Sequence, residues 1–208
     1  MWRDEVVEKS WLVLEKLKDL ADFVLIGGWG VYLWTRKLKS RDIDICIDQE
    51  NFYKLQSELL HRNYGLKRNV RLMKFEALID DVEVDIYTPF MSKLVVTITD
   101  VLNKQLYSLI ERFKVAIPEV LLLLKAQAAQ QRWHAEKGLK DRIDIISLLK
   151  FASIKRELLE QMLRKYDEED TLRNVIKRAI TESRAEYRFL RLAYEKDGVQ
   201  LKKSFENL

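Results

Sequence analysis

Cysteine, histidine, proline and glycine are all scarce in this chain of 208 residues. One cysteine, Cys46, excludes a disulfide scaffold and a cysteine-based zinc site, and fits a reducing cytoplasm. Two histidines, His61 and His134, exclude a histidine-rich metal centre, so any metal would be held by oxygen ligands. Two prolines and six glycines exclude collagen, low-complexity disorder and a Gly/Pro-rich linker. No apolar run approaches the roughly 18 residues that cross a bilayer. The start, Met1-Trp2-Arg3-Asp4-Glu5, is charged and helical in pattern, unlike a secretory signal. A cytoplasmic protein with no membrane partner is the expectation.

Apolar residues make up 48% of the chain, enough for a real core in one generous domain, or one domain and a smaller second one. The charge is uneven. Residues 1–100 hold 15 Lys+Arg and 17 Asp+Glu, whereas residues 101–208 hold 22 and 16. An acidic front and a basic back suit a metal site beside a polyanion-binding surface.

The first hundred residues alternate between helix and strand patterns. Trp11, Leu12, Leu14, Leu17 and Leu20 form a helical stripe within Asp4 to Leu20. Phe23 to Ile26 reads as a buried strand stopped by Gly27-Gly28, and Trp29 to Leu38 as a helix. Ile43, Ile45 and Ile47 alternate with acids on a second strand. Asn51 to Arg62 reads as a helix. Val70 to Ile79 and Val82 to Tyr87 read as a hairpin turning at Asp80-Asp81, and Lys93 to Ile98 as another strand. Beyond the joining segment, 100–117, the pattern is helical. Pro118 opens a helix that Gly138 breaks, and further helices span Leu139 to Phe151, Ile154 to Tyr166 and Asp170 to Tyr194. The acidic run Asp167-Glu168-Glu169-Asp170 suits a helix N-terminus.

The chemistry concentrates around the Gly27-Gly28 turn. Glycine there lets backbone N–H groups approach an anion without a Cβ in the way. Asp42 and Asp44 stand two apart on a strand, so both carboxylates share one face while the isoleucines point into a core. Adjacent carboxylates repel unless a cation bridges them. A third acid, Asp85, lies among strand residues in Val82 to Tyr87. If that strand pairs beside Asp42 and Asp44, three acids converge. Such a cluster suits two divalent ions that clamp a triphosphate and activate a hydroxyl.

These motifs resemble the nucleotidyltransferase superfamily typified by DNA polymerase β. Its signature is a Gly-Gly or Gly-Ser turn, a helix, Asp-x-Asp on a strand and a third Asp on a later strand. Gly27-Gly28, Asp42, Asp44 and Asp85 fall on it in order, and Ser40 matches a position that favours Ser or Thr. Phe113 to Lys125 and Leu139 to Ile145 resemble later motifs of one branch, the nucleotidyltransferase toxins of abortive-infection toxin–antitoxin systems and their prokaryotic relatives. The resemblance spans roughly residues 20 to 150. It implies an α+β fold, with a polymerase-β-like core over 1–115 and a helical region over 116–208. It implies transfer of a nucleoside monophosphate from a nucleoside triphosphate to a hydroxyl of a tRNA, a protein or a small molecule. Asp42, Asp44 and Asp85 would be catalytic and would hold two Mg²⁺ ions. Gly27, Gly28, Ser40, Lys125 and Asp141 would bind the nucleotide, and an antitoxin could be a partner.

Several of these residues also fit plainer roles. The same fold could bind nucleotide, or an antitoxin, without catalysis. Lys125 also suits a stem that snorkels from a buried helix. Asp141 and Asp144 suit ion pairs with Lys140 or Arg142. Trp29, Tyr32 and Trp34 suit a core, as does Cys46, and His134 suits the surface near a helix end. Arg173, Lys177, Arg178, Arg184, Arg188 and Arg191 suit a solvated face, or contact RNA with Tyr187 and Phe189.

Overall fold

The computed structural model describes residues 4–206, so Met1 to Arg3 of the charged start lie outside the described residues. The chain divides into two compact units, the first ending at Ile117 and the second beginning at Pro118.

The first unit runs α1 (Asp4–Leu20), β1 (Val24–Ile26), α2 (Gly27–Thr35), β2 (Ile43–Cys46), α3 (Gln49–His61), β3 (Leu66–Asn69), β4 (Lys74–Ile79), β5 (Val82–Tyr87), α4 (Ile98–Asn103), β6 (Tyr107–Ile110) and β7 (Phe113–Ala116). Its seven strands form one sheet in the order β3-β4-β5-β2-β1-β7-β6. β2 pairs with β5, and β1 with β7, in parallel; the other neighbours are antiparallel. The period-2 pattern has a direct consequence here. Leu25, Ile43, Ile45, Ala77, Ile79, Val84 and Ile86 belong to one core cluster, with Leu14 and Leu17 of α1, Trp29 and Leu33 of α2, and Phe52, Leu55 and Leu59 of α3. Burial of each Val, Leu, Ile or Phe side chain in it contributes about 1.5–3 kcal/mol. The alternate positions, including Asp44 and Asp85, are thereby placed on the other face.

Trp29 is fully buried and its indole N–H donates to Ser10 Oγ at 2.8 Å. Tyr32 and Trp34 are partly buried and pack against the same cluster. Cys46 is buried as well. The β4–β5 hairpin turns at Asp80-Asp81, both in the left-handed region (φ 49° and 62°), as a two-residue primed turn requires. Asp80 also accepts hydrogen bonds from Tyr64 Oη and Lys16 Nζ, each at 2.7 Å.

Local chemistry moves several boundaries. α2 starts at Gly27 itself and stops at Thr35, because Arg36 turns left-handed (φ 56°) and donates its N–H to Tyr32 O. The strand expected over Lys93 to Ile98 is not formed. Thr97 Oγ1 instead accepts from the Asp100 N–H and caps α4, which Ile98 opens. The β-branched run favours a strand, but the cap prevails. β3, β6 and β7 are four-residue strands that periodicity does not reveal.

The second unit is helical: α5 (Pro118–Arg132), α6 (Glu136–Phe151), α7 (Arg156–Tyr166), α8 (Thr171–Glu182), α9 (Arg184–Phe189), a π-helical turn over Tyr194–Gly198, and α10 (Val199–Ser204). Gly138 does not break a helix; it lies in the first turn of α6. A Cβ there would sit 1.9 Å from the Arg132 carbonyl oxygen, so glycine permits close approach to the end of α5. Asp167 accepts from the backbone N–H groups of Leu172 (2.9 Å) and Arg173 (2.8 Å), anchoring the first turn of α8. The single helix expected over Asp170 to Tyr194 breaks at Ser183. Among the described residues, no helix is long and apolar enough to cross a membrane.

Candidate functional site

Parallel pairing of β2 with β5 sets Asp44 opposite Asp85. Antiparallel pairing of β5 with β4 sets Asp85 opposite Glu76. Three carboxylates therefore run in a row across three neighbouring strands, on the face turned away from the isoleucine core. Adjacent strands lie about 4.8 Å apart, which brings side chains at such register positions within reach of one another. Asp42 precedes β2, two residues before Asp44, and its charge reaches Asp85. The convergence that the sequence made conditional on strand pairing is thus present.

The Gly27-Gly28 turn lies beside this row. Antiparallel pairing of β1 with β2 sets Ile26 opposite Asp44. Gly27 follows with φ 62° and starts α2. A Cβ on Gly27 would stand 2.0 Å from Asp44 Oδ2, so only glycine leaves room for that carboxylate. The N-cap residue, Ile26, supplies no side-chain acceptor to the first turn of α2. Ser40 is fully buried and donates its hydroxyl to Asp42 Oδ1 at 2.6 Å. It fixes one carboxylate of the pair.

Asp85 is not left to its acidic neighbours. Lys74 Nζ lies 2.5 Å from Asp85 Oδ2 and 3.1 Å from Glu76 Oε1. Burial raises the Asp85 pKa above the carboxylate value of 3.8; the Lys74 ammonium opposes the rise, and Glu76 and Asp42 add to it. Burial also works against the Lys74 ammonium, but its bonds to Asp85 and Glu76 outweigh this, and its pKa is raised. Asn69 Nδ2 donates to Glu76 Oε1 at 2.9 Å and holds the far end of the row. Lys74 and Glu76 do not stand out in the sequence. Counting back from the Asp80-Asp81 turn would have found Glu76 opposite Asp85, because a two-residue hairpin fixes the register.

The remaining expected residues lie in the second unit. Lys125 Nζ is 2.7 Å from Asp144 Oδ2 and 3.4 Å from Asp141 Oδ1. Asp141 is also held by Arg132, whose Nε lies 2.7 Å from its Oδ2. The partners of these aspartates therefore include Lys125 and Arg132 of α5. Arg142 pairs instead with buried Glu186, at 2.6 Å. Asp144 is wholly buried, which raises its pKa despite the opposing charge of Lys125. The basic set on α8 and α9 is partly engaged. Arg173 pairs with Glu160 and Asp170, and Arg178 lies 4.2 Å above the Trp133 ring while pairing with Glu182. His134 is exposed, just beyond α5.

The carboxylate row suits a hard divalent cation such as Mg²⁺, because every donor is an oxygen. Among the described residues, no group of three or more acids, histidines or cysteines is placed to hold a metal ion. Mg²⁺ commonly takes one or two carboxylates and completes its shell with water and substrate phosphate. The donor set fits that mode.

Residues 11–100 match the family model of the aminoglycoside-2''-adenylyltransferases, a stretch that includes Gly27, Asp42, Asp44, Lys74 and Asp85. No curated protein matches the chain. Among solved structures the chain is similar to an antigenic nucleotidyltransferase-like protein from Paracoccidioides brasiliensis (18% identity, 84% of this chain, 93% of that chain, TM-score 0.48). It is also similar to the Megavirus polyadenylate synthase (14% identity, 97% of this chain, 50% of that chain, TM-score 0.52). A third likeness is to an H. pylori protein described as a nucleotidyltransferase (14% identity, 97% of this chain, 92% of that chain, TM-score 0.50). The fold is the mixed α+β fold of nucleotidyltransferases. The matched stretch makes the chain similar to that family over less than half of its length.

Proposed function

We propose that this chain transfers a nucleoside monophosphate from a nucleoside triphosphate to an acceptor hydroxyl, with release of pyrophosphate. The observation that carries this is the Asp44–Asp85 pair across β2 and β5, set beside the glycine turn that opens α2. Asp42 and Asp44 would hold two Mg²⁺ ions, and Asp85 would share one of them. Bound there, the metal would supply charge neutralisation of the triphosphate and acidify the acceptor hydroxyl. Asp85 would accept the proton of that hydroxyl. The Gly27-Gly28 backbone at the start of α2 would receive phosphate oxygens, as helix N-termini do. Ser40 would hold Asp42 in the orientation needed for metal.

The family match favours ATP as donor and a small, hydroxylated amine of the aminoglycoside kind as acceptor. The toxin-like motifs, which include Lys125 and Asp141, favour a tRNA or protein acceptor and an antitoxin partner. In the second unit Lys125 is held by Asp144 and Asp141, an arrangement that supports a brace between α5 and α6. A phosphate contact would require the ammonium to be shared with those two acids.

The test supplies α-labelled ATP, CTP, GTP and UTP with Mg²⁺ to three acceptors in turn: aminoglycosides, bulk tRNA and total protein. Label in one acceptor, lost in Asp44→Ala, establishes both the reaction and its substrate class. Transfer that is unchanged in Asp44→Ala overturns the assignment.

A further inference from the structure

The carboxylate row carries its own cation. We propose that Lys74 is a built-in competitor for the divalent metal at Asp85, so that the metal binds tightly only together with the nucleotide. The inference rests on the metal-dependent reading above and concerns a residue that reading does not use.

Lys74 opens β4, two residues before Glu76, so both side chains leave the strand on the face that carries Asp85. Its ammonium bridges Asp85 (2.5 Å) and Glu76 (3.1 Å), and only 11% of its side chain is exposed. This is not a loose surface pair. Asp85 is also mostly buried, at 20% exposure. Two consequences follow from charge alone. Without metal, Asp85 has acid neighbours at Asp44 and Glu76 by strand register, and Lys74 neutralises part of this row. With metal, the Asp85 carboxylate is wanted by two cations. A divalent ion must then displace Lys74 from Asp85 or bind beside it against repulsion. Glu76 gives the displaced ammonium a place to stay, since it already accepts from Lys74 and is itself steadied by Asn69.

An incoming triphosphate changes the balance. Its negative charge favours the added cation and contributes oxygens that the protein alone lacks. Metal alone would therefore bind weakly, and metal with nucleotide tightly. Lys74 is a positioning residue in this scheme. It acts on Asp85 rather than on substrate.

The experiment measures Mn²⁺ binding to the full chain by electron paramagnetic resonance, with and without ATP. The variants are Lys74→Gln, Lys74→Arg and Asp44→Asn. Without ATP, Lys74→Gln should bind Mn²⁺ about tenfold more tightly than the native chain, whereas Lys74→Arg keeps the native affinity. ATP should tighten Mn²⁺ binding more in the native chain than in Lys74→Gln. If Lys74→Gln does not fold, Lys74→Met keeps the apolar stem, removes only the ammonium and should show the same gain. Unchanged or weaker Mn²⁺ binding on loss of Lys74 overturns the inference. If Asp44→Asn still weakens Mn²⁺ binding, the nucleotidyltransfer reading survives that result. Absence of Mn²⁺ binding in every variant, with and without ATP, overturns both.

Discussion

A methyl group on Gly27 would occupy the space of the Asp44 carboxylate, because its carbon would lie 2.0 Å from Asp44 Oδ2. Gly27 also has φ 62°, a conformation that costs other residues about 1–2 kcal/mol. The glycine turn and the acidic strand are therefore one device. Gly27→Ala should lower stability by about 1–2 kcal/mol in chemical denaturation. It should lower kcat/KM by about 100-fold, because displacing Asp44 by an ångström misplaces the reacting groups. Native activity in Gly27→Ala would contradict this coupling.

Ser40 makes a narrower prediction. Its hydroxyl is buried and bonded to Asp42 at 2.6 Å. Ser40→Ala leaves the carboxylate in place without its orienting donor. Activity should fall about 10- to 100-fold while the circular dichroism spectrum is unchanged, as for other groups that orient metal ligands.

Lys125 separates two roles. As a brace, it balances buried Asp144. Lys125→Met then leaves a buried carboxylate uncompensated and should cost about 3–5 kcal/mol of stability. Lys125→Met/Asp144→Leu should recover most of it. If Lys125→Met instead folds with native stability and loses only activity, the lysine serves phosphate and not the brace.

Asp85 predicts a pH dependence. Its pKa is raised above 3.8, first by burial. Its contribution to stability is therefore fully present below 3.8 and is lost as the pH rises through the raised folded value. Lys74 opposes the rise, so Lys74→Gln should push the midpoint higher still. Carboxyl ¹³C titration of the metal-free protein, assigned with Asp85→Asn, checks both statements. A midpoint at or below 3.8, or one unmoved by Lys74→Gln, contradicts them.

Much of the site was legible because it follows from period 2 and one hairpin. Alternation placed Asp42 and Asp44 away from Ile43 and Ile45, and the Asp80-Asp81 turn delimited the strand that carries Asp85. What could not be read was long-range. That β2 lies parallel to β5, with Asp44 level with Asp85, depends on how distant segments pair. Lys74 escapes notice for a local reason, since a lysine at a strand start resembles ordinary edge-strand solvation. The 93–98 segment shows the opposite failure. Its β-branched run points to a strand, but the bond from the Asp100 N–H to Thr97 decides for a helix. The helical half was readable in its stripes and less so in its breaks, because Gly138 serves a close contact rather than a stop.

The most direct test of nucleotidyl transfer follows both products of one reaction. Native chain and Asp44→Asn are incubated with α-labelled ATP, Mg²⁺ and the acceptor that the substrate screen identifies. Equal amounts of labelled acceptor and released pyrophosphate are expected from the native chain. Both should fall by at least about 1,000-fold in Asp44→Asn, as when a group central to transition-state charge is lost. Equal turnover by the two proteins, or release of ADP and phosphate in place of pyrophosphate, would contradict the proposed reaction.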